Sequence, residues 1–385
     1  MNSKLFFGIS VLFVVFALSS CKKDKVEIDF NYYGEEDYEM MRQHLEIPSY
    51  PINYNFEFPA YFNVTNRPFN RDMATLGRVL FYDPNLSSTR TVSCGSCHKQ
   101  ELAFADDLAF SKGVNGHETA RNSLALGSVF NFNQYYGTNG SPGAVPFFWD
   151  NSAPDVQTQT RQTMGNPVEM DMNMETAITR VEEQEYYTPL LKAAFGNADV
   201  TEDKILDAIG IFIGSLGSAN TKFDRALTEY ERINNTITGL DYASLPGLTE
   251  QENLGMNIFV QNCGSCHGNT SGMPGQIAAN NGLDMVYADQ GEGEGDFKVP
   301  TLRNIGVTGP YMHDGRFETL SQVIDHYSTG IVDHPNLHSD LKSNGQPVQM
   351  NFSAEEKAAL IAFLDDALLD EEFLHLSKYS DPFIQ

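Results

Sequence analysis

Cys94-Gly95-Ser96-Cys97-His98 and Cys263-Gly264-Ser265-Cys266-His267 are two copies of one pentapeptide pattern, identical down to the Gly-Ser between the thiols. Cys-x-x-Cys-His is the attachment signature of a c-type haem. Two thiols at this spacing add to the two vinyl groups along one porphyrin edge. The adjacent histidine then faces the iron and supplies an axial ligand. Cys94, Cys97 and His98 predict one covalent haem c, and Cys263, Cys266 and His267 predict a second.

Four of the five cysteines are thereby used. The fifth, Cys21, closes an export signal. Lys4 begins it, Leu5 to Phe16 is an apolar core too short to span a bilayer, and Leu18-Ser19-Ser20-Cys21 follows. That tetrapeptide resembles a lipobox, so residues 1–21 read as a lipoprotein signal ending at a lipidated Cys21. The expected location is outside the cytoplasm, anchored to a bacterial membrane and facing the periplasm. Covalent haem c is made there too. The net charge of −26 excludes nucleic acid as a partner, because phosphate binding needs clustered Lys and Arg. The same charge can steer a basic protein, such as a small cytochrome.

Working outward, Met73, Leu76, Val79 and Leu80 recur at helical spacing, and the helix ends before Pro84. Before the second motif, Thr249 and Glu252 form a capping box, with Leu254, Ile258 and Phe259 as the apolar face. Leu76-Gly77 and Phe81 correspond to Leu254-Gly255 and Phe259, an internal repeat. After each haem motif a closing helix follows. Thr201 starts one containing Ala208, Ile209 and Phe212, and Ser353 with Glu356 caps one containing Ala359, Leu360 and Phe363. The pattern predicts a mostly α-helical protein with long irregular loops and two cytochrome c-like haem domains. The predicted bounds are a tether over 22–58, a first domain over 59–240 and a second over 241–385. Residues 137 to 146 form a Gly-, Asn- and Pro-rich loop expected to help build a pocket.

Several further stretches resemble the bacterial di-haem cytochrome c peroxidases, a family that includes the MauG-type enzymes. They are Ser93 to His98, Phe104-Ala105-Asp106, Arg121-Asn122, Phe148-Trp149-Asp150, Asn166-Pro167-Val168-Glu169-Met170 and Phe223-Asp224. The second half adds Val299 to Asn304 and Thr308 to Gly315. The resemblance covers about residues 70 to 375. It implies reduction of hydrogen peroxide at the first haem, with electrons from a donor cytochrome entering at the second. It assigns Glu169 as acid/base, Gln159 as a neighbouring pocket residue and Trp149 as the electron relay between the haems.

The resemblance also implies calcium bound through Asn122, Thr308 and Pro310, a propionate partner in Arg303, and a homodimer. Asn151 departs from the family's usual Gly, which questions the turn after Trp149. Aligning on Asn122 puts Val114 where regulated peroxidases carry a distal His, and His117 reads as a loop residue. An open first haem is then expected. Tyr327 stands at the distal ligand position of the second haem, as in MauG-type enzymes, with Met312, Met285, Met273 and His326 as alternatives. His313 reads as structural, and His44, His334, His338 and His375 read as surface residues. Two other functions stay open: a MauG-type oxidase acting on a protein or other substrate, and a non-catalytic di-haem electron carrier.

Overall fold

The structure is a computed structural model that describes residues 32–56, 59, 69–129, 146–236, 244–268 and 278–384. Cys21, the signal, most of the 137–146 loop and Met273 lie outside the described residues. Among these residues the α-helices are α1 Glu35–Met41, α2 Arg71–Tyr82, α3 Cys94–Cys97, α4 Val156–Gly165, α5 Met174–Glu182, α6 Tyr187–Phe195, α7 Glu202–Gly214, α8 Lys222–Asn234, α9 Glu250–Asn262, α10 Gly264–His267, α11 Leu320–Asp325 and α12 Ala354–Ala362. Strand among the described residues is confined to two short antiparallel pairs. None of the helices is long and apolar enough to cross a membrane.

Each lobe is built on one crossing of two helices. Asn70 starts α2 by accepting from the N–H groups of Asp72 and Met73 at 3.2 and 3.1 Å, which satisfies donors left over at a helix start. Thr201 caps α7, and the expected boxes at Thr249–Glu252 and Ser353–Glu356 cap α9 and α12. The pairs α2/α7 and α9/α12 then meet at a glycine. A Cβ on Gly77 would lie 1.9 Å from the carbonyl oxygen of Ala208, and one on Gly255 would lie 1.9 Å from that of Ala359. Only glycine lets the backbones approach this closely. Phe81 and Phe212 pack edge to face at 5.2 Å beside the first crossing, and Phe259 and Phe363 pack in a tilted pair at 5.4 Å beside the second. Leu254 departs from its expected inward place: it is 37% exposed, because Gly255 rather than Leu254 faces α12.

Three boundaries differ from the sequence reading. Residues 32–56 are not a tether. Met41, Leu45, Ile47 and Tyr54 are buried in the first core, and Glu46 N–H donates to Pro382 O at 2.7 Å. The chain's last residues also return to the first lobe. Phe373, Leu374 and Tyr379 join its core, and the Tyr82 hydroxyl donates to Tyr379 O at 2.8 Å. Helix α8, expected in the first domain, instead packs Phe223, Ala226 and Leu227 into the second core. The crossover lies before α8, not at the Gly- and Pro-marked linker after it. Apolar burial, which dominates packing, outweighs the local turn signal. A third small cluster of Trp149, Leu283, Tyr287 and Phe297 lies where the lobes meet.

Candidate functional site

Both attachment motifs open on one cavity of about 800 Å³ between the lobes. At the first motif, Ser93 and Ser96 form a reciprocal cap that turns Cys94–Cys97 into one helical turn. His98 follows, and its Nδ1 lies 2.7 Å from Phe104 O. His267 Nδ1 lies 3.1 Å from Pro300 O. A carbonyl acceptor fixes the N–H on Nδ1 and leaves Nε2 as the free lone pair, the usual orientation of a ligating histidine. Burial lowers the pKa of both rings, that of His267 to about 4, so both imidazoles are neutral as ligands require. Burial pushes Cys94 and Cys263 up to about 12 and Cys97 up to about 11, which keeps these side chains as protonated thiols. Paired thiols, a neutral ring nitrogen and an apolar cavity fit two covalent haems.

The first motif faces a polar wall. Helix α4 is capped by Asp155, which accepts from Thr158 N–H at 2.7 Å. Its Gln159 and Thr163, one turn apart, share a 3.0 Å hydrogen bond. Asn166 ends the helix and donates through Nδ2 to Glu169 Oε1 at 2.7 Å. Gln159, Thr163, Asn166 and Glu169 all line the cavity. Burial raises the pKa of Glu169 above the ordinary carboxylate range, against the lowering effect of Thr163 and Asn166. Val114 is buried and bonds through its N–H to Glu169 O at 2.8 Å, whereas His117 is exposed on the loop beyond it.

Trp149 lines the same cavity and is buried. Its Nε1–H donates to Asn122 O at 2.8 Å. Arg121, next to Asn122, pairs with Asp150, next to Trp149, at 2.7 Å, and with Asp289 of the other lobe at 2.6 Å. Asn151 adopts φ +52, so it supplies the left-handed conformation that Gly would, and the turn is kept. Lys298 holds the turn from the second lobe: its N–H donates to Trp149 O at 2.7 Å, and its Nζ reaches Pro146 O and, at 3.4 Å, Asn151 Oδ1.

Arg303 differs from its expected role. It does not line the cavity. Its buried guanidinium makes a bidentate pair with Asp224, at 2.7 and 2.5 Å, and also bonds Ser218 O. That pair ties α8 to the second lobe. Among the described lining residues the Lys and Arg side chains are Arg121 and Lys298. Asn122 donates through Nδ2 to Leu108 O at 3.1 Å, and its N–H bonds His313 O at 2.8 Å. Asn122, Thr308 and Pro310 line the cavity together.

The second motif faces Tyr327, which lies in a wide π-type turn over His326–Gly330 after α11. Burial pushes its phenol up to about 12. The Asn281 amide donates to Tyr327 Oη at 3.3 Å and to Met312 Sδ at 3.7 Å. His326 is committed to Asn281 O at 3.1 Å, and Met285 is 54% exposed. His313 is buried and stacks on Phe297 with centroids 3.6 Å apart. His44 and His375 are exposed. His334 is partly buried against Asn280, and His338 lies within 4.8 Å of Cys266, so these two are not plain surface residues. Asn281 and Lys298 carry no sequence motif. Their roles come from partners far along the chain.

The model of the family described as di-haem cytochrome c peroxidase matches residues 71–232. Cytochrome c551 peroxidase of Nitrosomonas europaea is 32% identical over 272 residues, covering 67% of this chain and 73% of that one. The chain belongs to the di-haem cytochrome c peroxidase/MauG family. The methylamine utilization protein MauG of Methylorubrum extorquens is 28% identical over 316 residues, covering 77% of this chain and 78% of the relative. A crystal structure of a MauG-like protein associated with microbial copper homeostasis superposes with a TM-score of 0.63 at 27% identity, over 88% of this chain and 98% of that one. The diheme peroxidase BthA of Burkholderia thailandensis shares the fold, with a TM-score of 0.62 at 19% identity, over 88% and 97%. As a family member the protein is an oxidoreductase with two c-type haems.

Proposed function

We propose that this protein reduces hydrogen peroxide to water at the first haem, with electrons from a donor cytochrome that enter at the second haem and pass Trp149. One observation carries the reading: Glu169, Trp149 and both attachment motifs line a single cavity. The first haem, when bound, supplies the redox-active iron. Glu169 takes a proton from one peroxide oxygen and returns it to the other, so that water is the leaving group. Two electrons and two further protons complete two waters. Asn166 orients the Glu169 carboxyl through its 2.7 Å bond, and Gln159 and Thr163 offer polar contacts beside it. Val114, at the position where regulated relatives carry a distal histidine, is buried, and His117 is exposed, which favours an enzyme that needs no reductive priming.

Steady-state oxidation of reduced cytochrome c by peroxide tests the proposal, with rapid turnover expected. No turnover with any donor leaves a non-catalytic carrier. Slow turnover with cytochrome but peroxide-dependent oxidation of another protein selects the MauG-type oxidase. Tyr327 Oη in the second pocket favours that second reading. We further propose Tyr327 as distal ligand of the second haem. We also propose calcium at Asn122 Oδ1 and the carbonyls of Thr308 and Pro310, since hard oxygen donors suit it, and chelation would test this. Export, lipid attachment at Cys21 and a homodimer belong to the same proposal. Globomycin-sensitive processing and sedimentation are their tests.

A further inference from the structure

We propose that Asn281 selects the axial ligand of the second haem. The inference rests on Tyr327 as the distal ligand. Two donor atoms of opposite chemistry face this end of the cavity: the phenol oxygen of Tyr327 and the thioether sulfur of Met312. Both lie within reach of a single Asn281 Nδ2, at 3.3 and 3.7 Å. An N–H donor acts differently on the two. It stabilises the charge on a phenolate ligand. On a thioether it occupies the weak acceptor sulfur that a metal would otherwise use.

Asn281 is held in place for this task. Its carbonyl lies 3.1 Å from His326 Nε2, the residue before Tyr327. One residue thus fixes the π-type turn through its backbone and the phenol through its side chain. The neighbouring Asn280 accepts from Gly282 N–H at 2.9 Å, which fixes the loop that carries Asn281. Asn281 is a positioning residue, not a ligand. Its effect falls on the haem potential, because a thioether raises it relative to an anionic oxygen ligand.

The test uses holoprotein with both haems attached. Asn281→Leu removes the donor at similar volume. Asn281→Asp keeps the shape but presents a carboxylate to the phenol, and it carries the test should the leucine variant fail to fold. Each variant is expected to gain the long-wavelength sulfur-to-iron charge-transfer band and a higher second-haem potential. Asn281→Leu combined with Met312→Leu is expected to lose that band. Asn281→Gln, which keeps an amide, is expected to restore the parent spectrum in part. An unchanged spectrum and potential in Asn281→Leu and Asn281→Asp overturns the proposal, provided that Tyr327→Phe does change them. If Tyr327→Phe changes nothing, the ligand reading fails instead.

Discussion

The two lobes are copies in how they hold a haem and opposites in what they set against it. Both cross their helices at a glycine where an added Cβ would fall 1.9 Å from a carbonyl oxygen. Both aim a neutral histidine by a Nδ1 contact to a carbonyl, Phe104 in one and Pro300 in the other. In the cavity that His98 lines stands a carboxyl, Glu169, oriented by Asn166. Opposite His267 stands a phenol, Tyr327, oriented by Asn281. These two side chains come from outside the duplicated helices: the segment after α4 and the turn after α11. Attachment is thus a property of the repeat. The proposed reactivity is a property of what lies outside it.

Glu169→Gln breaks the comparison at its largest point. It keeps the shape and the Asn166 contact but removes proton transfer. Peroxide reduction is expected to fall about 10²- to 10⁴-fold, the usual worth of a positioned acid/base. The second haem's spectrum should stay as it was. Full peroxidase activity in the variant would remove Glu169 from the mechanism. In the parent, activity needs the carboxylate. Burial raises this pKa, so the acidic limb of kcat/KM should lie above the ordinary glutamate value of about 4.3.

Lys298 tests how the lobes are joined. It belongs to the second lobe and grips the turn that carries Trp149 in the first. Burial lowers its pKa to about 7. The unfolded chain binds this proton up to about 10.4, so between the two values the unfolded state holds more protons and stability rises with pH. The gain is present above the unfolded value and is lost as pH falls through about 7. Lys298→Met should flatten this dependence, by on the order of 5 kcal/mol across the window. Denaturant melts at several pH values are the measurement. A parallel pH profile in the variant would show that the ammonium is better compensated than its burial suggests.

Gly77→Ala and Gly255→Ala ask whether the crossings are truly equivalent. Each methyl meets backbone, which yields less readily than a flexible side chain. Overpacking of this kind costs about 2 kcal/mol. Similar losses in urea melts would support equivalence. A loss at Gly77 alone would mean that the second lobe can slide α9 against α12.

Much of this was legible in the chain because it is local. The haem pentapeptides, the Thr249–Glu252 and Ser353–Glu356 boxes and the Gly77/Gly255 repeat each occupy a few consecutive residues. What stayed hidden depends on partners far away. Residues 32–56 have no period, yet Leu45 pairs with Phe383, more than three hundred residues on. That segment, which includes α1, buries Met41, Leu45, Ile47 and Tyr54 against a surface that its own sequence does not encode. Arg303 read as a propionate partner because its motif is adjacent to the site, but a buried guanidinium needs a carboxylate and Asp224 supplies it. Asn281 has no motif because an amide becomes a selector only when Tyr327 and Met312 converge on it.

The smallest effect separates the two opening caps. Asn70 accepts alone for α2, whereas Thr249 shares a reciprocal box with Glu252 at α9. Glu252 also accepts from Lys222 Nζ at 2.6 Å, so the second cap ties α9 to α8. Asn70→Ala and Thr249→Ala should each cost about 1 kcal/mol. They should part company in acid. Burial alone would raise the Glu252 pKa, but Lys222 and the Thr249 N–H outweigh it and hold the carboxyl below its ordinary value. A depressed carboxylate contributes stability above its unfolded pKa and loses it as pH falls through the folded one. Once Glu252 is protonated, the parent has already lost half of its box, so the penalty of Thr249→Ala should shrink while that of Asn70→Ala persists. Equal acid sensitivity in the two variants would mean that Glu252 serves Lys222 rather than the cap.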